Sequence, residues 1–391
     1  MTKLEQLIEE LCPMGVDYKP LGDICNIVKG SQLNKESLKS DGKYPVINGG
    51  INPSGFWDEF NFKSNTITIS QGGASAGYVN YMSTPFWAGA HCYVVDSCDK
   101  TIIYEYLYHF LKMQQINFMK NQYGAGIPSL SLKTINAVLI PIPPLSIQEE
   151  IVGLLNSFSN NLGLLKSTLS DEVAYRKQQL EYYREKSFAE LPKWVRLNEI
   201  CNIYLGLTAT PNYVDSGVKF ISAQNTSSDY LDLENTKFIS EEDYQKATSN
   251  AKPQRGDVLF TRVGSNLGHP VIVETDEKLC IFVSLGFLRV KDKNVVVNKW
   301  LKHWMNTDLF WDQVKKNVHG AAKVNLNTGW LKDFEIPLPS LEEQILICEN
   351  LDRMQSNCLE LSSNLLKEIG ERQKQYEYYR DKLLTFKEKV N

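Results

Sequence analysis

The chain has 391 residues, 42% of them hydrophobic and 23% charged, with a formal net charge of −4. That length exceeds one ordinary core and predicts at least two domains; no run of about 18 apolar residues exists to form a membrane-spanning helix. The acidic balance removes any global electrostatic case for nucleic-acid binding, so such binding must rest on local surfaces.

The opening MTKLEQLIEELCPMG is amphipathic and carries acids, which predicts a short helix and argues against a signal peptide. The eight cysteines form no CxxC pair, so reduced thiols in a cytoplasmic protein are expected rather than a zinc site or a disulfide framework. At 66–79 the chain reads TITISQGGASAGYV, a strand followed by a loop of small residues. Glycine permits positive φ and close approach of the backbone to a ligand. Gln71, Gly73, Ser75 and Tyr78 are candidate contacts there, since Gln, Asn, Arg and Ser can pair with base edges. A hairpin whose polar residues merely face water explains the same pattern. Residues 106–148 hold Lys112, Lys120 and Lys133 and no acid, with Tyr123 among them. Lysines in such a stretch can meet phosphates without reading sequence.

IPIPPLSIQEEI (140–151) then opens a proline-free stretch over 148–188. Ile151, Leu155, Phe158, Leu162, Leu165 and Leu169 recur at spacings of four and three, a heptad seam. The helix so predicted is about 40 residues, or roughly 60 Å, long. Beyond Leu169 the seam turns polar through Arg176, Gln179, Tyr182 and Tyr183.

The chain then repeats itself. LGDICNI (21–27) returns as LNEICNI (197–203), IPIPPLSIQEEI returns as IPLPSLEEQILI (336–347), and RKQQLEYYREK (176–186) returns as RQKQYEYYRDK (372–382). VLFTRVGSNLGHPV (258–271) takes the place of the first glycine loop and offers Arg262, Ser265, Asn266 and His269. NVHGAAKVNLNTG (317–329) takes the place of NQYGAGIPSLSLK (121–133) and offers Lys323 and Asn325. The second seam runs Ile347, Leu351, Met354, Cys358, Leu361, Leu365 and ends on Arg372, Gln375, Tyr378 and Tyr379. Two seams in one chain predict mutual burial, and antiparallel pairing is expected because each helix leaves one of two similar regions. The polar helix ends read either as a docking surface present twice or as solvated ends with tyrosine stems over the seam.

Enzyme chemistry is missing. There is no GxxxxGK[ST] or HExxH, the five histidines stand apart in sequence, and the stretch NPSGF (52–56) lacks the second proline of an adenine-methyltransferase motif. A binding protein without catalytic or metal-ligating residues is expected.

These residues, over essentially the whole chain, resemble the specificity subunits of type I restriction-modification enzymes. The resemblance is carried by LIEELCPMGVDYKPLGDI (7–24), the two Pro-x-Pro-x-Leu…Gln stretches, the YYR helix ends and the alternation of loosely and closely repeated regions. It implies an α+β protein with two α/β-type target recognition domains. Two long helices in an antiparallel coiled coil separate them, with pseudo-twofold internal symmetry. The expected divisions are 1–140 for the first recognition domain with its N-terminal helix, 141–190 for a central helical region, 191–336 for the second recognition domain and 337–391 for a C-terminal helical region. The resemblance further implies binding of a bipartite, asymmetric site in double-stranded DNA. It implies docking of two methyltransferase subunits that methylate adenine, and addition of two restriction subunits. S-adenosylmethionine, ATP and Mg would then sit on those partners, with no cofactor in this chain and no membrane association. The first region lacks the GDVL (256–259) of the second, which leaves its residue assignments less anchored. A stand-alone two-headed DNA-binding regulator and a coiled-coil adaptor that never touches DNA are the alternatives.

Overall fold

A computed structural model describes residues 2–123, 128–208, 211–247, 252–264, 266–317 and 325–389. Two compact units emerge: Met1–Thr168 with Leu365–Asn391, and Leu169–Asn364.

The first unit opens with α1 (Lys3–Leu11), capped by Thr2 and Glu5 in a reciprocal capping box, then β1 (Asp17–Pro20), α2 (Leu21–Ile24) and β2 (Cys25–Lys29). There follow β3 (Tyr44–Ile47), β4 (Gly55–Trp57), β5 (Thr66–Ser70), β6 (Val79–Met82), β7 (Trp87–Ala88) and β8 (Cys92–Cys98). Helix α3 (Tyr104–Lys120), α4 (Leu132–Asn136) and β9 (Leu139–Ile142) lead into α5, a continuous helix over Leu145–Ala189. The strands form a four-stranded sheet ordered β2-β8-β5-β6, a smaller sheet β4-β3-β7 and the pair β1-β9.

The second unit repeats this plan. Its elements are β10 (Trp194–Arg196), α6 (Leu197–Ile200), β11 (Cys201–Leu205), β12 (Tyr213–Val214), β13 (Val218–Ile221), β14 (Lys237–Ile239), α7 (Glu241–Ala247), β15 (Val258–Thr261), β16 (Pro270–Ile272), β17 (Leu279–Ile281) and β18 (Leu285–Val290). Then come α8 (Asn298–Trp304), α9 (Asp308–Asn317), α10 (Thr328–Leu331), β19 (Glu335–Pro337) and α11 (Leu341–Leu384). The sheets are β11-β18-β15-β16, β12-β14-β13-β17 and β10-β19, so each strand of the first unit has a counterpart and only β12 is added.

The central strands explain the layering. A strand sends alternate side chains to opposite faces. Ile67 and Ile69 of β5 join the core that holds Leu107 and Leu111 of α3, while Val94 of the neighbouring β8 joins Ile47 and Phe86 beneath the smaller sheet. In β15, Val258 and Phe260 join Trp300 and Trp304, and Leu259 joins Ile221 and Phe287. Each such buried aliphatic stabilises the unit by about 1.5–3 kcal/mol.

The long helices are fastened at their starts by glutamines that the two proline-rich stretches place identically. Gln148 is fully buried; its amide donates to Thr101 O (2.9 Å) and Pro143 O (2.7 Å) and accepts from Ile103 N (2.7 Å). Gln344, equally buried, donates to Val295 O (2.9 Å) and Pro339 O (3.0 Å) and accepts from Val297 N (3.2 Å). Within the first unit, the opening of α5 lies antiparallel to the closing stretch of α11. Phe158 packs on Tyr376 and Tyr379, and Lys166 reaches back to Gln373. The antiparallel expectation is met there. One sequence expectation needs correcting: Cys25 and Cys98, opposite each other in the antiparallel pair β2 and β8, form a disulfide. The other six cysteines are free.

Candidate nucleic-acid interface

The two loops that the sequence singles out in each half, far apart in the chain, meet at one end of the sheet. In the first unit Leu130 N donates to Gln71 O (2.7 Å), Gly73 N to Pro128 O (2.9 Å), and Tyr123 and Ser129 exchange backbone bonds. In the second, Leu326 N donates to Arg262 O (3.1 Å). A third segment closes the group in both: Gln71 N donates to His91 O (2.9 Å), and Arg262 N to Ser284 O (2.8 Å). Gln71 and Arg262 therefore occupy one position in two copies.

Glycines divide the work inside each loop. Gly77 (φ 89°) and Gly268 (φ 74°) lie under a helix; a Cβ at either would strike Phe118 or Trp311. Among the described residues, nothing stands within 4 Å of where a Cβ would be at Gly73 (φ 79°) or Gly264 (φ 125°). The first pair serves helix packing. The second leaves backbone with no described neighbour over it, the arrangement that lets a ligand approach closely.

The side chains differ in how free they are. Lys120, Tyr123 and Asn325 are exposed, with Tyr123 at 58%. Ser75 is half-buried and its carbonyl accepts from Tyr78 N. Tyr78 is covered by the Lys112 ammonium 4.0 Å from its ring centre; that ammonium also donates to Val79 O (2.7 Å), and burial pushes its pKa down to about 8. Gln71 is half-buried, and its Oε1 has no partner among the described residues. Arg262 donates from Nε to Leu326 O (3.1 Å) and from Nη1 to Val283 O (3.0 Å), and burial lowers its pKa. Its guanidinium thus stitches two segments of its own domain. Asn266 Nδ2 donates to Thr226 O (3.2 Å), and His269 Nε2 lies 2.9 Å from Ser228 O. Ser265 and Lys323, together with 124–127 and 318–324, lie outside the described residues.

The segment 222–232, which brings Thr226 and Ser228 to this end of the sheet, carries no glycine or basic signal, so the sequence gives no reason to choose it. Two arginines were also missed. Arg184 and Arg380, at the YYR helix ends, are 9% and 7% exposed. Nothing local distinguishes them from their exposed neighbours.

The polar helix ends are near copies of each other. Arg176 Nε donates to Glu172 (2.8 Å) and Nη1 to Gln179 (3.2 Å); Arg372 Nε donates to Glu368 (2.8 Å) and Nη1 to Gln375 (3.0 Å). Tyr182 meets Tyr183 edge-on with ring centres 5.4 Å apart, as Tyr378 meets Tyr379. All four rings are more than 40% exposed. Among the described residues no group of three or more His, Cys, Asp or Glu could hold a metal ion, and no helix is long and apolar enough to cross a membrane.

Comparison with known proteins agrees over the whole length. The model of the type I restriction modification DNA specificity domain matches twice, at 13–175 and 192–371. A protein of Haemophilus influenzae assigned as a type I restriction enzyme specificity subunit is 29% identical over 98% of both chains. The specificity subunit of the Escherichia coli EcoR124I/EcoR124II enzyme is 29% identical over 75% of this chain and 74% of its own. A solved chain from a study of type I restriction-modification complex assembly shares the fold, with a TM-score of 0.72 at 17% identity, covering 96% of this chain and 98% of that one.

Proposed function

This chain belongs to the family of type I restriction-modification specificity subunits, which supply DNA sequence specificity and leave catalysis to partner subunits, and from that membership we propose that it reads a bipartite, asymmetric site in double-stranded DNA. Each unit reads one half-site with the sheet end built from its two loops. The tyrosine- and arginine-bearing helix ends dock two methyltransferase subunits, and two restriction subunits complete the larger assembly. Methylation falls on one adenine in each half-site; S-adenosylmethionine, ATP and Mg are held by the partners.

One observation carries the reading. The same strand end, with an open positive-φ glycine and a second loop bonded alongside, is built twice with different side chains: Gln71 with Gly73, and Arg262 with Gly264. Duplicate scaffolds with unlike readers suit a site whose halves differ. A stand-alone regulator explains the readers but not the twice-built helix ends, and an adaptor explains neither glycine.

The test exchanges residues 25–140 for the equivalent region of a relative and maps methylated adenines in cells carrying the chain with its partners. One half-site should change and the other stay. Changes in both halves would defeat the modular reading, and enrichment of no sequence by the purified chain would favour the adaptor.

A further inference from the structure

Asn266 and His269 sit where a base reader is expected, yet both point inward. Each is bonded to the main chain of 222–232, the segment after β13. Since Ser228 O can only accept, His269 Nε2 carries the proton in that bond. The segment they grip is tied by further hydrogen bonds. Asn225, only 5% exposed, accepts from Ser222 N (3.0 Å) and Ser222 Oγ (3.2 Å) and donates to Asp232 O (3.3 Å) and Asn235 O (3.0 Å). Thr226 and Thr261, both fully buried, share a hydroxyl bond of 3.2 Å that ties the segment to the end of β15.

On this fastened segment stands Gln224. It is exposed, while Asn225 and Thr226 beside it are buried. Its backbone is held on both sides: Ala223 N donates to Ser284 Oγ, and Gln224 O accepts from Ser227 Oγ (3.0 Å). Its side-chain amide makes no bond within the described residues. Asp229 accepts from Gln355 Nε2 (2.7 Å) through one carboxylate oxygen and has the other 3.8 Å from His269 Nε2. A glutamine amide held at one place, with donor and acceptor both open, matches the N6 and N7 edge of adenine in a major groove.

We infer that Gln224 is a specificity-determining residue of the second unit, pairing with an adenine of its half-site, and that Asn266 and His269 are positioning residues behind it. The inference rests on the reading of DNA proposed above. The first unit has no equivalent. Ile47 and Ile221 end the matching strands β3 and β13, each paired in parallel to β7 or β17, and counting on from them puts Gly50 where Gln224 stands.

The experiment enriches a random duplex library on the full chain and sequences the bound fraction for the wild type, Gln224→Ala, Asn266→Ala and His269→Ala. Gln224→Ala should flatten the preference at one adenine-containing base pair of one half-site, by about 5- to 150-fold, with the other half-site unchanged. Asn266→Ala and His269→Ala should blur several pairs of that same half-site, because they loosen the whole segment. If the wild type enriches a site and Gln224→Ala leaves every position as it was, or weakens all positions alike, the assignment of Gln224 is wrong while the DNA reading stands. If the wild type enriches nothing, the DNA reading falls and this assignment falls with it. Unchanged thermal melting of the Gln224→Ala chain excludes misfolding as the cause of a flattened profile.

Discussion

The two units hold the same central strand by different chemistry. In the second, Gly256 (φ 93°) turns the chain into β15, and Asp257, 3% exposed, clamps Arg289 through Nε (2.9 Å) and Nη2 (2.7 Å). In the first, the corresponding turn is made by Asn65 at φ 57°, the non-glycine residue most tolerant of that region, and Thr66 replaces the acid. There Tyr104 takes over: its hydroxyl accepts from Ile67 N (2.8 Å) and donates to Val95 O, tying β5 to β8. The absence of GDVL from the first unit therefore marks a different fastening of one topology. A twofold plan constrains backbone positions and leaves the fastenings free, whereas the buried glutamines Gln148 and Gln344 do the same work with the same residue.

That contrast can be tested from its strongest point downward. Gln148→Ala and Gln344→Ala should each leave two carbonyls and one N–H without partners in a dry site. Loss of about 3–5 kcal/mol is expected in either case, read by denaturant unfolding or by hydrogen exchange of the unit concerned. Unequal losses would mean that the two helix starts are not equivalent.

Asp257→Ala should cost about 3 kcal/mol, the lower end for breaking a buried pair, because the Arg289 side chain is still 25% exposed. Thr66→Ala should cost less than about 1 kcal/mol. Hydrogen exchange resolved by unit should place the first loss in β15 and β18. A loss from Thr66→Ala as large as that from Asp257→Ala would remove the difference drawn between the two strand entries.

Acid should separate the units more gently. His303 and His109 are both buried against the long helices, and burial depresses each imidazole below its ordinary value. The unfolded chain then takes up protons first, so stability falls in both units as pH drops below about 6.5. His109 faces the neutral Asn156 (3.0 Å), whereas His303 faces Asp352 (2.9 Å), which also receives Lys299; Arg184 and Lys302 act on the same histidine. Burial alone would raise the Asp352 carboxyl, but the bonds from His303 and Lys299 hold it at about 2. Its folded value lies below the unfolded one, so its contribution is present above about 4 and is lost between about 4 and 2. Melting followed from pH 7 to pH 2.5 should show an additional loss below pH 4 in the second unit, abolished by Asp352→Asn. Equal acid profiles for wild type and Asp352→Asn would refute it.

Much of the architecture was legible because it is written in local or periodic signals. Heptad spacing depends on residues three and four apart, and the repeats at 140–151 and 336–347 align without gaps, so two helices and two similar regions follow from the chain alone. The glycine loops were equally visible, since a strand followed by small residues is a contiguous pattern. Which glycine packs and which stays open was not: Gly77 and Gly73 differ only in whether Phe118 of a distant helix stands over them.

The amino-acid sequence by itself determined that this protein is built twice and carries two long helices, because duplication and periodicity are properties of order along the chain. Tertiary structure decided which polar groups are left over. In the chain Arg262, Asn266 and His269 are polar side chains beside a glycine turn, and folding brings carbonyls from 64, 40 and 41 residues away within their reach. Gln224, unremarked in sequence, keeps its amide open among the described residues, on a segment held by the bonds from Asn266 and His269. Hydrogen-bonding capacity is settled by what comes within about 3 Å, and that distance is set by the fold.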